Sequence, residues 1–480
     1  MSDSNMNGLL AALKFGKMTE TANGAVTYGT SLSYVLDFFS LGAACRLGER
    51  SALPLFIEAF QEDPTLAISA LFYTRDIRQG QGERTLFREC LAFLAEEHSD
   101  YFNRIMHLVP TYGRWDDILT FWQNPNVVAL VRQQLIEDLD GEGQSLLGKW
   151  MPSENASSKQ TRALARCWMQ QLGMKPRQYR KMLTELRRRI HVVESDMSAK
   201  NFTEINYEHV PSLAMKRYRK AFRAQDGERF SDYLDMVSSG EKKIHAGTLY
   251  PYDIVNSLWD GPDQVLELQW EALPDYIASG ENILVMADVS GSMAGDPLVA
   301  SIALALYTAE RSKGAFKDHF MTFTDKPTLV KLEGETLYER MESIQSHAGL
   351  NTDIVAAFEE ILRFGIRFCV PQEDMPTKVF IVSDMEFDWV RGGKTNFEEI
   401  EELYRIAGYE IPQLVFWNVA SRGTQVPVTA HESGTALVSG LSPVIFERVL
   451  QSRSFSPMSI MLDTLSSERY QAVQEALRAV

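Results

Sequence analysis

Apolar residues recur along this chain with two periods. From about residue 30 to 265 they fall three and four apart, in runs at 31–47, 53–62, 66–75, 83–97, 101–108 and 115–122. That spacing lines one face of an α-helix. Asp63-Pro64, Gln79-Gly-Gln-Gly82, Pro110 and Asn124-Pro125 punctuate the runs, because proline and glycine end helices and open turns. Short helices with short connections predict antiparallel pairs stacked as an α-solenoid, although no exact repeat period is present.

The pattern changes after a junction at 241–280, where Gly247, Pro251, Gly261-Pro262, Pro274 and Gly280 interrupt any long helix. Short apolar runs at 283–287, 319–324, 327–332, 378–384, 413–419 and 435–439 then alternate with helical runs at 298–311, 336–344, 354–364, 397–406 and 443–450. Strand–helix alternation predicts a mainly parallel sheet covered on both faces. The expected fold class is therefore multidomain. Residues 1–265 form an all-α helical-repeat domain and 266–450 an α/β, Rossmann-like domain. Residues 451–480 form a helical tail whose last run, 468–480, packs back on the body.

Composition narrows the function. The 480 residues carry 64 acidic and 48 basic side chains, a net charge of −16, which opposes a coat of nucleic acid over the whole surface but not a local basic patch. Four scattered cysteines, with no Cys-x-x-Cys pair, predict reduced thiols and a cytoplasmic protein. The first residues lack a signal-peptide pattern and no apolar run reaches 18 residues, so no membrane span is expected.

The strongest chemical signal is Ile283-Leu-Val-Met-Ala-Asp288-Val-Ser290-Gly-Ser292. A buried-type strand ends there in three oxygen-bearing side chains at alternate positions, where open α/β sheets place ligands. Thr352 follows in Gly349-Leu-Asn-Thr-Asp353, and Asp384 ends the run Lys378-Val-Phe-Ile-Val-Ser-Asp384. Hard oxygen donors at several strand ends suit Mg²⁺ or Mn²⁺. The set resembles the metal-ion-dependent adhesion site of von Willebrand factor A domains, with Asp288, Ser290, Ser292, Thr352 and Asp384 at its five motif positions. That resemblance implies a metal with one position open for a partner's carboxylate. A haloacid-type phosphatase would need a carboxylate at 290, where Ser stands, and a serine-hydrolase elbow would need Gly at 288. No zinc spacing, phosphate loop or dinucleotide fingerprint occurs. Metal-dependent hydrolysis lacks an evident general base, and a non-enzyme is expected. Glu386 and Asp388, just past Asp384, stand either as groups that orient ligands or as loop caps.

Two islands add to the picture. Thr74-Arg75-Asp76-Ile77-Arg78-Gln79-Gly80-Gln81-Gly82-Glu83-Arg84 and Tyr112-Gly113-Arg114-Trp115-Asp116-Asp117 place arginines, acids and glycines close together. Pairing across neighbouring helices with tight glycine turns accounts for them. Together with the metal motif, and with Val210-Pro-Ser-Leu-Ala-Met-Lys216, Leu249-Tyr-Pro-Tyr-Asp-Ile-Val255 and Gly434-Thr-Ala-Leu-Val-Ser-Gly440, they make the chain resemble the Ro (TROVE) proteins. It looks closer still to the family described as domain of unknown function 2828. The Ro resemblance implies HEAT-like helical repeats closed by an A domain, and binding of single-stranded RNA ends and small structured RNAs.

The sequence holds a local basis for RNA. Residues 151–245 carry 19 Lys and Arg against 11 Asp and Glu. They concentrate in Lys175, Arg177, Arg180, Lys181, Arg187, Arg188, Arg189, Lys216, Arg217, Arg219 and Lys220, with Tyr179, Tyr218 and Phe222 interleaved. Cations neutralise phosphates and aromatics stack on unpaired bases; a solvated helix face is the plain alternative. The expectation is a non-enzymatic, Ro-like RNA-binding protein with a Mg²⁺-binding A domain. The competing expectation is a protein-interaction scaffold whose metal captures an acidic residue of a partner.

Overall fold

The computed structural model describes residues 17–47, 50–141, 144–190, 192–277, 282–313, 316–322, 327–345, 353–388, 395–452 and 454–478. It is helix-rich, with a six-stranded mixed sheet in the C-terminal half and a two-stranded hairpin near the start. The hairpin pairs β1 (Met18–Glu20) with β2 (Val26–Tyr28) antiparallel. The sheet contains β3 (Ile283–Ala287), β4 (His319–Thr322), β5 (Leu329–Lys331), β6 (Lys378–Ser383), β7 (Gln413–Asn418) and β8 (Thr435–Ser439). Its order is β5-β4-β3-β6-β7-β8, and every pair is parallel except β4 with β5.

Alternation along each central strand divides the apolar interior, because successive side chains point to opposite faces. Leu284, Met286, Val379, Ile381, Leu414 and Phe416 join one core. Val285, Ala287, Phe380, Val382, Val415 and Trp417 join the other. The first core is shared with the helical half: it runs without a break from Val35, Phe38 and Phe72 to the sheet and on to Tyr470 and Leu477. Helix Tyr34–Leu41 lies against β8. The second core is closed by helices Asp296–Arg311, Val444–Gln451 and Pro251–Leu258. A third, smaller core gathers Val193, Tyr207, Met215, Phe222, Phe230 and Tyr233.

The Arg- and Gly-rich segment after helix Pro64–Arg75 fastens these parts together. Arg75 gives Nε and Nη2 to Asp117 Oδ2 at 2.8 and 2.6 Å, and the pair is almost wholly buried. Asp76 receives Arg469 at 2.8 and 2.9 Å, from helix Glu468–Arg478. The ring of Tyr470 stacks on Tyr112 at 5.8 Å. The glycines are steric requirements: a Cβ at Gly80 would fall 2.0 Å from the Tyr73 carbonyl, and one at Gly113 2.6 Å from Asp117 Oδ2. The acid–arginine pairing expected of the two islands is therefore what the fold uses, and the tail packs back on the helical half.

Glu83, in the same segment, is buried and meets Arg46 at 3.4 Å. Burial outweighs that partner and pushes its carboxyl from 4.5 up to about 7. The folded state thus holds a proton that the unfolded chain releases. Stability from this group is complete below about pH 4.5 and is lost as pH rises through about 7, a change of at most about 3 kcal/mol. Glu83→Gln, which keeps the shape without ionising, should flatten that decline. Thermal unfolding compared at about pH 5 and about pH 8 checks it; an equal fall in both proteins would assign the pH dependence elsewhere.

Candidate metal centre and nucleic-acid interface

The chain leaves β3 for β4 on one side of the sheet and later leaves β6 for β7 on the other. The carboxyl ends of β3 and β6 are therefore the topological switch point, where open α/β sheets bind ligands. Asp288 and Asp384 sit there, each the first residue past its strand. The register pairs Ala287 with Val382, and Asp288 N donates to Val382 O at 3.0 Å. The two carboxylates come together because adjacent parallel strands end at the same level.

Asp288 is fully buried. Its Oδ1 accepts from Ser290 N at 3.0 Å and its Oδ2 from Ser383 Oγ at 2.6 Å. Burial raises its carboxyl to about 6 against the pull of those hydrogen bonds, and Asp384 adds to the rise. Ser290 and Ser292 sit on the short turn that follows, their hydroxyls 3.0 Å apart. Asp384 is buried; its Oδ1 accepts from Glu386 N at 3.2 Å, while Oδ2 has no hydrogen-bond partner. The next residue, Met385, is buried in a left-handed backbone conformation at φ 66°. For a residue with a side chain that costs roughly 1–3 kcal/mol, and such strain gathers at functional sites. The structure thus brings together Asp288, Ser290, Ser292 and Asp384. Thr352 lies outside the described residues.

These residues fit a hard divalent cation. A buried carboxyl held near neutrality and a buried oxygen without a donor both gain from an added positive charge. Asp288, Ser290, Ser292 and Asp384 would hold the ion, which would supply charge and an oxygen-binding position. Among the described residues no cluster of three or more His, Cys, Asp or Glu forms another ligand set.

One cation of the chain already faces the centre. Arg422, after β7, brings Nε to 3.5 Å from Asp384 Oδ2 and donates Nη2 to the Ser292 carbonyl. Its loop is held by the N-terminal half. Ser421 N donates to Ala44 O at 3.0 Å, Arg50 Nη1 to Gly423 O at 2.5 Å, and Val426 pairs with Tyr28. Glu386 is tied in the same way, receiving Ala22 N at 2.6 Å and the Gln425 amide. Glu386 is thus a fastener for the N-terminal hairpin. The motifs of the sequence point to neither Arg422 nor that hairpin. The Asn23-Gly24 turn between two threonine-bearing stretches was a signal for the hairpin; nothing local signals Arg422.

The basic residues separate into two groups and two roles. On helix Pro176–Arg189, Arg177, Lys181 and Arg188 are exposed along one face, at spacings of four and seven, with Arg180 and Lys175 exposed beside them. Arg180 meets Glu154 at 2.8 Å and Arg188 meets Glu185 at 2.9 Å, while Lys175, Arg177 and Lys181 face no acid within 4.0 Å among the described residues. Arg187 and Arg189 turn inward. Arg187 donates to Gly148 O, Met151 O and Ser153 Oγ at 2.9–3.0 Å. Arg189 donates to Asp138 O and Leu139 O at 2.8 and 2.6 Å. The second group, on helix Ser212–Gln225, is mostly spent on acids: Lys216 on Asp253, Arg219 on Asp263 and Lys220 on Asp260, with Arg217 exposed. The interleaved aromatics are packing residues. Tyr179 and Phe222 are buried, and Tyr218 bonds Glu194 at 3.2 Å.

Comparison with known proteins supports the resemblance to domain of unknown function 2828. Residues 21–104 and 132–281 match the Domain of unknown function (DUF2828). Residues 282–477 match a second, the Domain of unknown function (DUF7788). The two matches meet where β3 begins. The "Uncharacterized protein L728" of Acanthamoeba polyphaga mimivirus is 29% identical over 500 residues, covering 93% of this chain and 86% of that protein. Among solved structures, the Deinococcus radiodurans Ro (RSR) protein aligns with 90% of this chain and 93% of that one, at 13% identity and a TM-score of 0.36. No described helix is long and apolar enough to cross a membrane.

Proposed function

We propose that this chain is a non-enzymatic, Ro-like RNA-binding protein. In this reading the C-terminal half is a von Willebrand factor A-type domain holding Mg²⁺ or Mn²⁺ through Asp288, Ser290, Ser292, Thr352 and Asp384. The helical half is built from HEAT-like pairs, and the free thiols of Cys45, Cys90, Cys167 and Cys369 fit a cytoplasmic protein. The observation that carries the RNA reading is the exposed face of Arg177, Lys181 and Arg188, with Lys175 beside it, on a chain of net charge −16. A concentrated positive face on an acidic protein is the footprint of a localised polyanion. The absence of exposed aromatics among those residues favours contact through the backbone over base stacking.

The test uses Arg177→Glu, Lys181→Glu and Arg188→Glu together, which leaves the inward-facing Arg187 and Arg189 in place. Binding of single-stranded, hairpin and duplex RNA is read by gel shift at two salt concentrations. The wild type should bind. The triple variant should bind more weakly with a flatter salt dependence, by roughly one slope unit for each phosphate that is no longer neutralised. No shift for any of the three RNAs with the wild-type protein would overturn the reading.

A second reading, capture of an acidic protein partner at the metal, is favoured by one observation. The half-exposed Arg422, 3.5 Å from Asp384 Oδ2, would add its positive charge to that of a bound metal at the rim of the centre. Hydrolysis is disfavoured, because both oxygens of Glu386 are engaged and leave it poorly placed as a general base.

A further inference from the structure

The helical half carries a charge cluster that neither reading uses. Arg75, Arg84, Arg88 and Arg114 converge on Asp116 and Asp117. Asp117 is fully engaged: Oδ2 takes Arg75 and the Arg114 backbone N at 3.0 Å, and Oδ1 takes Arg88 Nε at 2.7 Å. Asp116 Oδ2 accepts from Arg84 at 2.7 Å and lies 2.9 Å from Arg88 Nη2 as an ion pair. Among the described residues, Arg88 Nη2 and Asp116 Oδ1 are buried without a hydrogen-bond partner. Nearby Glu83 meets Arg46 at 3.4 Å and is held towards its neutral form by burial. Four guanidiniums therefore face two carboxylates.

Arg114 is the group left over. Its Nε comes no closer than 3.7 Å to Asp116, and its guanidinium lies over the Trp150 ring at 4.5 Å, with Lys149 5.9 Å from the same ring. Burial holds its charged form below the usual arginine range, and Arg84 and Arg75 add to that against the opposing pull of Asp116 and Asp117. A concavity of about 480 Å³ opens on the same cluster through Arg84 and Arg88, which line it with Thr85, Glu89 and Ala92. Glu89, its one acid, accepts from Ser51 at 2.9 Å. Guanidiniums keep a planar fork of donors that matches phosphate oxygens, and a surplus of them in a partly buried setting is relieved by an anion.

We infer that Arg84 and Arg88 in this concavity, with Arg114 as the neighbouring surplus charge of the same cluster, form a phosphate-binding site distinct from both the metal centre and the basic helix Pro176–Arg189. The ligand is a phosphate group, either free or in a nucleic-acid backbone. The site does not rest on the RNA reading, and the two sources are separated by the test.

The full chain is titrated with inorganic phosphate against chloride at matched ionic strength, with binding read by calorimetry and by thermal unfolding. Saturable binding and a phosphate-specific rise in Tm are expected for the wild type. Arg114→Gln should weaken phosphate at least about tenfold, and Arg114→Lys, which keeps the charge but not the fork, should fall between. Equal Tm in phosphate and chloride for the wild type, or unchanged phosphate affinity in Arg114→Gln, would overturn the site. Should Arg114→Gln fail to fold, the wild-type comparison and Arg84→Gln still decide it. Competition of phosphate with single-stranded RNA, lost in Arg114→Gln, identifies the backbone as the source. Phosphate binding without competition identifies the free anion and leaves the site standing even if the protein binds no RNA.

Discussion

Asp288→Asn will bind Mn²⁺ more weakly by over about 100-fold, given that even residues that only orient metal ligands are worth 10–100-fold. Asn preserves the shape of a fully buried side chain and can still meet Ser290 N and Ser383 Oγ. Loss of affinity then reports the charge rather than collapse of the strand end. Calorimetry, or the Mn²⁺ paramagnetic resonance signal, measures it, with circular dichroism as the control for folding. Two companion results sharpen the assignment. In the wild type, affinity should fall as pH drops through about 6, because the ion must displace the proton that burial holds on Asp288. Arg422→Ala should tighten binding by roughly tenfold, since it removes a positive charge that stands 3.5 Å from Asp384 Oδ2. Wild-type affinity in Asp288→Asn would remove this residue from the ligand set.

The largest loss of stability is expected at Asp117. Asp117→Ala leaves the buried guanidinium of Arg75 without a counter-charge, frees Arg88 Nε and removes the acceptor for Arg114 N. Breaking a buried pair by deleting one partner costs about 3–5 kcal/mol. Urea unfolding followed by circular dichroism should show the midpoint falling accordingly. The paired change of Arg75 and Asp117 to Leu should cost less than Asp117→Ala alone, because no buried charge is then left over. If the double variant were the less stable of the two, the hydrogen bonds to Arg88 and Arg114 would outweigh the uncompensated charge.

Most of the sheet was legible because its strands are buried on both faces, which leaves unbroken apolar runs such as Ile283–Ala287 and 379–382. The ends of elements drifted where caps overrode periodicity: Asp63 caps a helix that starts at Pro64, two residues before its first apolar position. Asp288 and Asp384 were legible as a pair because polar residues closing buried strands have few other reasons to be there. Arg422 was not, since it belongs to no periodic element and reaches the centre only because Ala44, Arg50 and Tyr28 hold its loop. Within the basic stretch, composition could not separate Arg187 and Arg189, which bind carbonyls inside the fold, from Arg177 and Lys181, which face solvent. Direction of a side chain depends on what the helix packs against, and one helix read alone carries only half of that information.

The contact of Asp76 with Arg469 and Tyr470 spans 393 and 394 residues of chain. During synthesis the helical half therefore leaves the ribosome with the Asp76 carboxylate lacking its Arg469 partner and the Tyr112 face uncovered. It stays so until Arg469 and Tyr470 have been made. Contacts of such long sequence separation form late and slow the final assembly. A chain stopped before Glu468 would present that unfinished seam to proteases and chaperones, although every helix of the N-terminal half would already have been translated.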